Sequence, residues 1–452
     1  MRKHLFLSCQ RRLASRAITM LSYWIPACAG MTIFLSAAEA NATKITFDQA
    51  VATVRDKSFD VMRARIDLLM AKTDQTKIAT ALSPFGQFFY QDVTNSQSIS
   101  SRGLEIQATR AQQAGITLGY NLTEALVGIF KLWAQDTQIK ITDEQKEQVL
   151  IGTAFGVAQT YRLTQAAEKS VEVAKSRLGA GSKQLKDTEA LFAYGKISKS
   201  DKLEIELNYN NSVIGLTTSQ NDLRKSQTAL KKLLAIDDDE PLELDKLADL
   251  KADAVATIMT ESEAVQKAFA NRGDLAISKL IVSGVDTQKW LLLKPYLPTT
   301  TAQMDFRWNF GNLSDFVLPQ TQAFTLNLTW NFWDGGSAIT DYRKTYLQAR
   351  RYEVDLREKT LDVKNDAEQA VRDLQLAKET LRLRDVGIAK AEEAYRGYST
   401  RYSLGAVSVT ELLFSENTLN QARLDHLSAT VGLDIANMKL QKATGMKLPV
   451  PL

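Results

Sequence analysis

Proline is scarce and unevenly spread. Eight occur in 452 residues, and none lies between Pro84 and Pro241 or between Pro319 and Pro449. Proline breaks helices because it lacks an N–H and clashes with the preceding turn, so two long tracts are free to form very long helices. Cysteine is limited to Cys9 and Cys28, and histidine to His4 and His426. One histidine beyond the N-terminal region excludes a His/Cys metal cluster. No apolar run after residue 40 is long enough for a membrane-crossing helix. A Gly-x-x-x-x-Gly-Lys-Ser/Thr phosphate loop is absent, as is any nucleophile set beside a base. The chain is therefore not expected to be an enzyme, and no cofactor or metal is implied.

What is present begins with a leader. Arg2, Lys3, Arg11, Arg12 and Arg16 precede a mostly apolar stretch from Ala17 to Ala38, the pattern of a secretory signal over residues 1–40. Cleavage would follow Ala38-Glu39-Ala40 or Ala40-Asn41-Ala42. Met20 is an internal start that would lose the arginines, and an N-terminal membrane anchor is the alternative reading. Without the leader both cysteines are gone, so no disulfide is expected. Neither cysteine has a context suited to lipidation. Lys plus Arg falls from 56 to 51 and Asp plus Glu from 52 to 51. The basic balance belongs to the leader, and nothing argues for nucleic acid.

The rest of the chain is duplicated. Leu118, Asn121 and Glu124 recur as Leu328, Asn331 and Asp334; Arg162 and Gln165 recur as Arg372 and Gln375; Gly195, Ser198 and Asp201 recur as Gly405, Ser408 and Glu411. A first repeat spans 41–235, an acidic linker 236–260, a second repeat 261–446, and a tail 447–452. Each repeat opens with a helical segment, Ile45–Lys77 in the first. A strand pair follows, at about 85–123 and 299–333. Ile116, Leu118, Tyr120 and Leu122 alternate with Thr117, Gly119 and Asn121, and Phe324, Leu326, Leu328, Trp330 and Phe332 alternate likewise. Period two gives a strand with one apolar face. Ten to fifteen residues per strand is enough to cross a tilted bilayer span. Aromatic residues near the ends (Phe88, Phe89, Tyr90, Trp308, Phe310, Trp330, Phe332, Trp333) suit an interfacial girdle, though a soluble sheet face reads the same on alternation alone.

Helical hairpins follow, at about 125–234 and 336–445. Val171, Leu178, Leu185 and Phe192 fall seven apart beside Ala167, Ala174 and Gly181. Leu374, Leu381, Ile388, Tyr395 and Tyr402 do the same beside Ala370, Ala377 and Ala391. The returning arms match, with Tyr209, Leu216, Leu223 and Leu230, then Leu412, Leu419, Leu433 and Leu440. A strict seven-residue period is a seam against a partner helix. These ladders are packing, and His426 is read as a seam residue. The outgoing arm from about Leu126 to Phe192 would reach ~100 Å. The arms turn at Gly195 and Gly405, where glycine supplies positive φ. Ser198 with Asp201 and Ser408 with Glu411 read as capping boxes for the next helix.

These features together resemble the outer-membrane efflux protein family, the TolC-like exit ducts of Gram-negative bacteria. The residues carrying the match are Ile45-Thr46-Phe47-Asp48-Gln49-Ala50 and Leu328-Thr329-Trp330-Asn331-Phe332-Trp333-Asp334-Gly335-Gly336. The paired tips, Phe192-x-x-Gly195-x-x-Ser198-x-x-Asp201 and Tyr402-x-x-Gly405-x-x-Ser408-x-x-Glu411, complete it. The match spans about residues 44–446. The fold class is thus α+β, mainly α: duplicated antiparallel coiled-coil hairpins, plus four strands per chain contributing to a trimeric transmembrane β-barrel. Four strands cannot close alone, since the smallest barrels have eight, which independently calls for oligomerisation.

The resemblance implies a homotrimer in the outer membrane with a helical tunnel in the periplasm. It would serve as the passive duct of a tripartite efflux pump or type I secretion system. Implied partners are outer-membrane lipid, a periplasmic adaptor (membrane fusion) protein, and an inner-membrane pump of ABC or RND type. The adaptor would meet the tips at Phe192, Gly195, Lys196, Ile197 and Ser198, and at Gly405, Ala406, Val407 and Ser408. Asp201 and Tyr402 match gate-contact positions, and Glu411 falls where the family places an acidic constriction ring, an alternative to plain capping. Two departures stand out: Val407 where some members have a gate arginine, and Phe414 where a second acidic ring can lie. A soluble periplasmic coiled-coil adaptor or scaffold is the rival reading. It has no need of a duplicated amphipathic strand pair.

Overall fold

The structure, a computed structural model, describes residues 43–95, 100–101, 104–105, 109–236, 242–247, 259–292, 294–311 and 320–446. The leader, most of the linker, the C-terminal tail and parts of both strand-pair loops lie outside the described residues. The elements run β1 (Thr43–Ile45), α1 (Phe47–Lys57), α2 (Phe59–Thr80), β2 (Phe85–Asn95), β3 (Thr109–Asn121), α3 (Leu122–Ala193) and α4 (Lys199–Leu234). They continue with β4 (Leu242–Leu244), α5 (Glu261–Asn271), α6 (Gly273–Leu291), β5 (Thr299–Gly311), β6 (Gln320–Thr329), α7 (Ser337–Ser403) and α8 (Val409–Ala443). A two-residue ladder pairs Ser100–Ser101 with Leu104–Glu105 in the loop between β2 and β3.

The duplication governs how helices start and stop. Capping boxes open α1 at Thr46 with Gln49, α4 at Ser198 with Asp201, α5 at Thr260 with Glu263 and α8 at Ser408 with Glu411. Each satisfies two N-terminal backbone donors reciprocally. The opening helical segment is not one helix but two. Ser58 (ψ 128°) breaks it between α1 and α2, and Arg272 (ψ 118°) does the same between α5 and α6. An extended ψ at one residue lets its N–H close the first helix while its carbonyl starts the second: Ser58 donates to Val54 O and accepts from Met62 N–H.

The 72 residues of α3 reach ~108 Å at 1.5 Å each. Strand β3 passes into α3 without a loop, because Asn121 ends the strand and caps the helix by accepting from Glu124 N–H at 2.9 Å. At the equivalent junction Asp334 does this work, accepting from Gly336 N–H at 2.9 Å and Ala338 N–H at 2.7 Å.

The four long strands form one antiparallel sheet in the order β2-β3-β5-β6. Facing residues include Phe85 with Gly119, Thr117 with Asp305, and Thr299 with Thr329. One face carries Phe88, Leu118, Met304, Phe324, Leu326 and Leu328, all exposed. The other carries glycine and polar residues: the rings of Phe85 and Phe89 lie over Gly119 and Gly115, so Phe89 does not share the face of Phe88 and Tyr90 as the girdle reading had it, and Thr117 donates to Asp305 Oδ1 at 2.5 Å. The apolar side is thus the uncovered one. Among the described residues, strands β2 and β6 each have one open edge.

Each repeat has its own core. In the first, Ala50, Val51 and Val54 of α1 pack against Val157, Ala158 and Tyr161 of α3 and Leu230 and Leu234 of α4. In the second, Ala264 and Ala268 of α5 pack against Val363, Ala367 and Val371 of α7 and Leu433 of α8. The seven-residue ladders supply the seams: Val171, Leu230, Leu374, Leu381, Leu412, Leu419, Leu433 and Leu440 are all buried. A fully buried leucine contributes ~1.5–3 kcal/mol. His426 bonds Asp385 Oδ1 at 2.8 Å across the α7–α8 seam.

The segment read as a linker contains β4, which pairs in parallel with β1, Thr43 facing Leu242. Fully buried Tyr161 secures this ladder. Its hydroxyl donates to Ile45 O at 2.9 Å and accepts from Asp245 N–H at 3.2 Å. Beside it, Arg162 stacks 4.4 Å over the Phe47 ring and sits 2.5 Å from Asp434 of α8, tying the two repeats together.

Candidate gate and tip region

Both hairpins reverse through the same backbone device. In the first, Gly195 takes φ 69°; its N–H donates to Phe192 O at 2.9 Å, and Lys196 N–H donates to Leu191 O at 2.9 Å. In the second, Gly405 takes φ 71°, donates to Tyr402 O at 2.9 Å, and Ala406 N–H donates to Arg401 O at 2.9 Å. A glycine in the left-handed region lets these crossed bonds satisfy the last helical carbonyls. After it the chain extends through Ile197 or Val407, each half-buried, to the capping serine.

Asp201 and Glu411 both take part in those caps. Asp201 N–H donates to Ser198 Oγ at 3.0 Å and its carboxylate accepts from Ser198 N–H at 3.3 Å. Glu411 Oε2 accepts from Ser408 N–H at 2.9 Å and from Ser408 Oγ at 3.0 Å. These bonds hold the Glu411 carboxyl below its ordinary pKa, the backbone donor contributing most. Capping is therefore a role Glu411 has within one chain. That role leaves Glu411 exposed at the tip of the second hairpin.

The tips are joined laterally. Ile205 of α4 packs with Val409 and Leu413 of α8, and Leu185 and Tyr402 cover them. Thr410 donates to Glu204 Oε2 at 3.2 Å across the same seam. Burial, and secondarily the negative charge of Asp201, raises the Tyr402 pKa. Asp201 and Tyr402, on different hairpins, are thus neighbours. Phe414 stands apart, 73% exposed. Lys202 Nζ lies 5.3 Å over the Phe192 ring, which leaves Gly195, Lys196, Ser198, Gly405, Ala406 and Ser408 as exposed backbone turns.

Two features of this end were not legible from sequence. Tyr194 (79% exposed) and Leu404 (77%) project from the outermost turns. Large side chains directly before each tip glycine, in duplicate, were a signal lying outside the seven-residue ladders. Farther up, Glu416 of α8 is buried beneath Tyr395, with Arg177 of α3 nearby. Burial raises its pKa, and Arg177 partly offsets that. Arg177 itself donates to Asn417 Oδ1 at 2.6 Å, so polar contacts join the hairpins beyond the apolar cluster.

Comparison with known proteins bears on this architecture. The sequence profile of the family described as outer membrane efflux protein matches residues 264–446. No relative is found among curated protein sequences. Among solved structures, the Campylobacter jejuni CmeC outer membrane channel is similar with a TM-score of 0.79 and 14% identity, over 90% of this chain and 87% of that one. The Vibrio cholerae outer membrane protein VceC aligns at 0.72 and 11% identity, over 88% and 96%. The Neisseria gonorrhoeae MtrE outer membrane channel, solved in its open state, aligns at 0.72 and 14%, over 89% and 90%. Residues 264–446 thus carry the sequence signature of the outer membrane efflux protein family, and the described chain as a whole has the fold of these outer-membrane channels.

Proposed function

We propose that the chain is one protomer of a trimeric outer-membrane exit duct. The observation that carries this reading is the sheet: four strands of 10 to 13 residues with an uncovered apolar face and two open edges. Strands of about 9–11 residues cross a bilayer when tilted, and lipid does not tolerate an open edge. Copies joined edge to edge close the sheet, with the apolar face outward to lipid and the Gly115–Thr117–Asp305 face inward to water. Cyclic assembly is the expected form. A soluble scaffold has no use for such a face.

The hairpins then form a tunnel in the periplasm, ending at the tips. Nothing in the chain supplies energy, so transport is driven by an inner-membrane pump of ABC or RND type, through a periplasmic adaptor that engages the turns at Gly195 and Gly405. Engagement favours an open arrangement by differential contact, and what separates is the Ile205–Val409–Leu413 cluster. In a trimer, three exposed Glu411 carboxylates around the axis favour cations, and three Phe414 rings narrow the same opening.

The test is Gly405→Trp. A bulky residue at φ 71° distorts the turn, so export is lost while trimers remain in the membrane; normal export would remove the tip from the mechanism. Glu411→Lys lowers cation preference in planar bilayers, and unchanged selectivity would exclude the ring.

A further inference from the structure

Val409, Leu413, Glu416 and Asn420 follow one another on α8 in steps of four, three and four, so they share one side of the helix. All are buried. This is the side that meets the first hairpin at the Ile205 cluster. Farther along α8, Asp434 pairs with Arg162 of α3 and Met438 enters the first core. Glu416 is therefore a carboxylate set into the contact between the hairpins, with apolar side chains toward the tip and an ion pair toward the core. Its counterpart 210 residues earlier, Glu206, is exposed. The same acid on the first hairpin stays in water, so the burial of Glu416 comes with the contact between hairpins.

Glu416 lines a cavity of about 270 Å³ together with Ser176 and Arg177 of α3, Tyr395 of α7 and Asn420. Among the described residues nothing donates a hydrogen bond to its carboxylate. Arg177 is close but engaged elsewhere. Its Nη2 donates to Asn417 Oδ1 at 2.6 Å and to Asn208 Oδ1 at 3.4 Å, while its Nε is buried without an acceptor. On α7, Glu392 is paired by Arg423 of α8 at 3.3 Å and Arg396 lies 3.8 Å from Glu393. Burial raises the Tyr395 pKa, so that phenol stays neutral. From α4 the near charge is Glu204, which accepts from Thr410. An ionised carboxylate taken out of water without a donor is costly, so such a group gives up its charge or its place. Burial accordingly raises the pKa of Glu416, and Arg177 offsets only part of that.

We propose that Glu416 is a proton-operated latch on the tips: uncharged, it lets α8 lie against the first hairpin, and ionised, it favours the separated arrangement in which it faces water. The proposal rests on the reading of the tips as a gate and adds what regulates it. The sign follows from where the carboxyl holds its proton more tightly. In the packed state its pKa is raised; once the hairpins part and water enters, it returns toward its ordinary value. The closed arrangement is therefore favoured fully below that ordinary value, and the advantage is lost as pH rises through the raised one. Acid holds the tips together, and neutral pH loosens them. Glu411 does not supply this effect, because its cap lies within one hairpin and stays exposed whether or not the hairpins meet.

The experiment follows maleimide labelling of Leu413→Cys, 6% exposed within the cluster that separates, in purified trimers. Labelling through a rare opening reports the open population. Its rate is taken relative to that of Phe414→Cys, the exposed neighbour, so that ionisation of the thiol itself cancels. The relative rate is expected to rise several-fold between about pH 5 and about pH 8. With Glu416→Gln added it is expected to stay at its low-pH value throughout, while Glu416→Asp retains the rise. A rise that survives Glu416→Gln would overturn the latch. A flat profile in trimers that keep Glu416 would also overturn it, and would leave the duct reading standing if the same preparation conducts in planar bilayers. Absence of any oligomer would remove the duct reading and the latch together.

Discussion

Ala235 ends α4 at φ 53°, where its counterpart after α8 is Gly445 at φ 69°. The left-handed region costs a residue with a Cβ ~1–2 kcal/mol, while glycine costs ~0.4–1 kcal/mol in the unfolded chain. Ala235→Gly is therefore expected to stabilise modestly, by under ~1 kcal/mol, as a shift in the thermal or denaturant midpoint. The reverse change differs, because a Cβ at Gly445 would lie 2.7 Å from the Asn271 carbonyl carbon. Gly445→Ala adds overpacking to strain and should lose more than ~2 kcal/mol. Glu416 gives a pH signature. Burial raises its pKa above 4.5 in the packed state, so that state retains a proton the unfolded chain releases. The stabilising contribution is complete below pH 4.5 and is lost as pH rises through the raised value. Glu416→Gln should therefore match wild type near pH 4 and melt at higher temperature near pH 7; a constant gap across pH would refute this account of Glu416.

At the scale of elements, the long hairpins were legible because a seven-residue apolar period without proline has few other outcomes. The strand pairs were legible because Ile116, Leu118 and Tyr120 alternate cleanly with Thr117, Gly119 and Asn121. The breaks at Ser58 and Arg272 were not, since neither position carries glycine or proline and only the backbone shows the turn. Strand β4 was hidden for another reason: three residues in an acidic segment have no period, and their partner β1 lies about 200 positions earlier. Tyr161 joins them, and Tyr161→Phe leaves Ile45 O and Asp245 N–H without that hydroxyl. A loss of ~1–3 kcal/mol is expected by denaturant titration. The sheet has its own weak point at Gly115, where a Cβ would meet the Phe89 ring and lie 2.7 Å from Phe306 O. Gly115→Val should therefore abolish heat-resistant oligomers while helical circular dichroism persists. Of the tip residues, the turns and caps followed from local sequence. Asp201 and Tyr402 were each singled out as gate-contact positions by the resemblance alone, because nothing in the spacing brings two hairpins together; that the charge of Asp201 reaches Tyr402 is seen only in the fold.

On the scale of the whole molecule, the chain is two copies of one plan that together leave, among the described residues, a sheet with free edges. The proposed duct answers those edges with more of the same chain. The most direct measurement is native mass spectrometry of the mature protein released from detergent micelles, paired with membrane fractionation. Three chains per particle, recovered from the outer membrane and conducting in planar bilayers, is the expected result. A stable single chain in detergent-free buffer, with its sheet intact, would contradict the account.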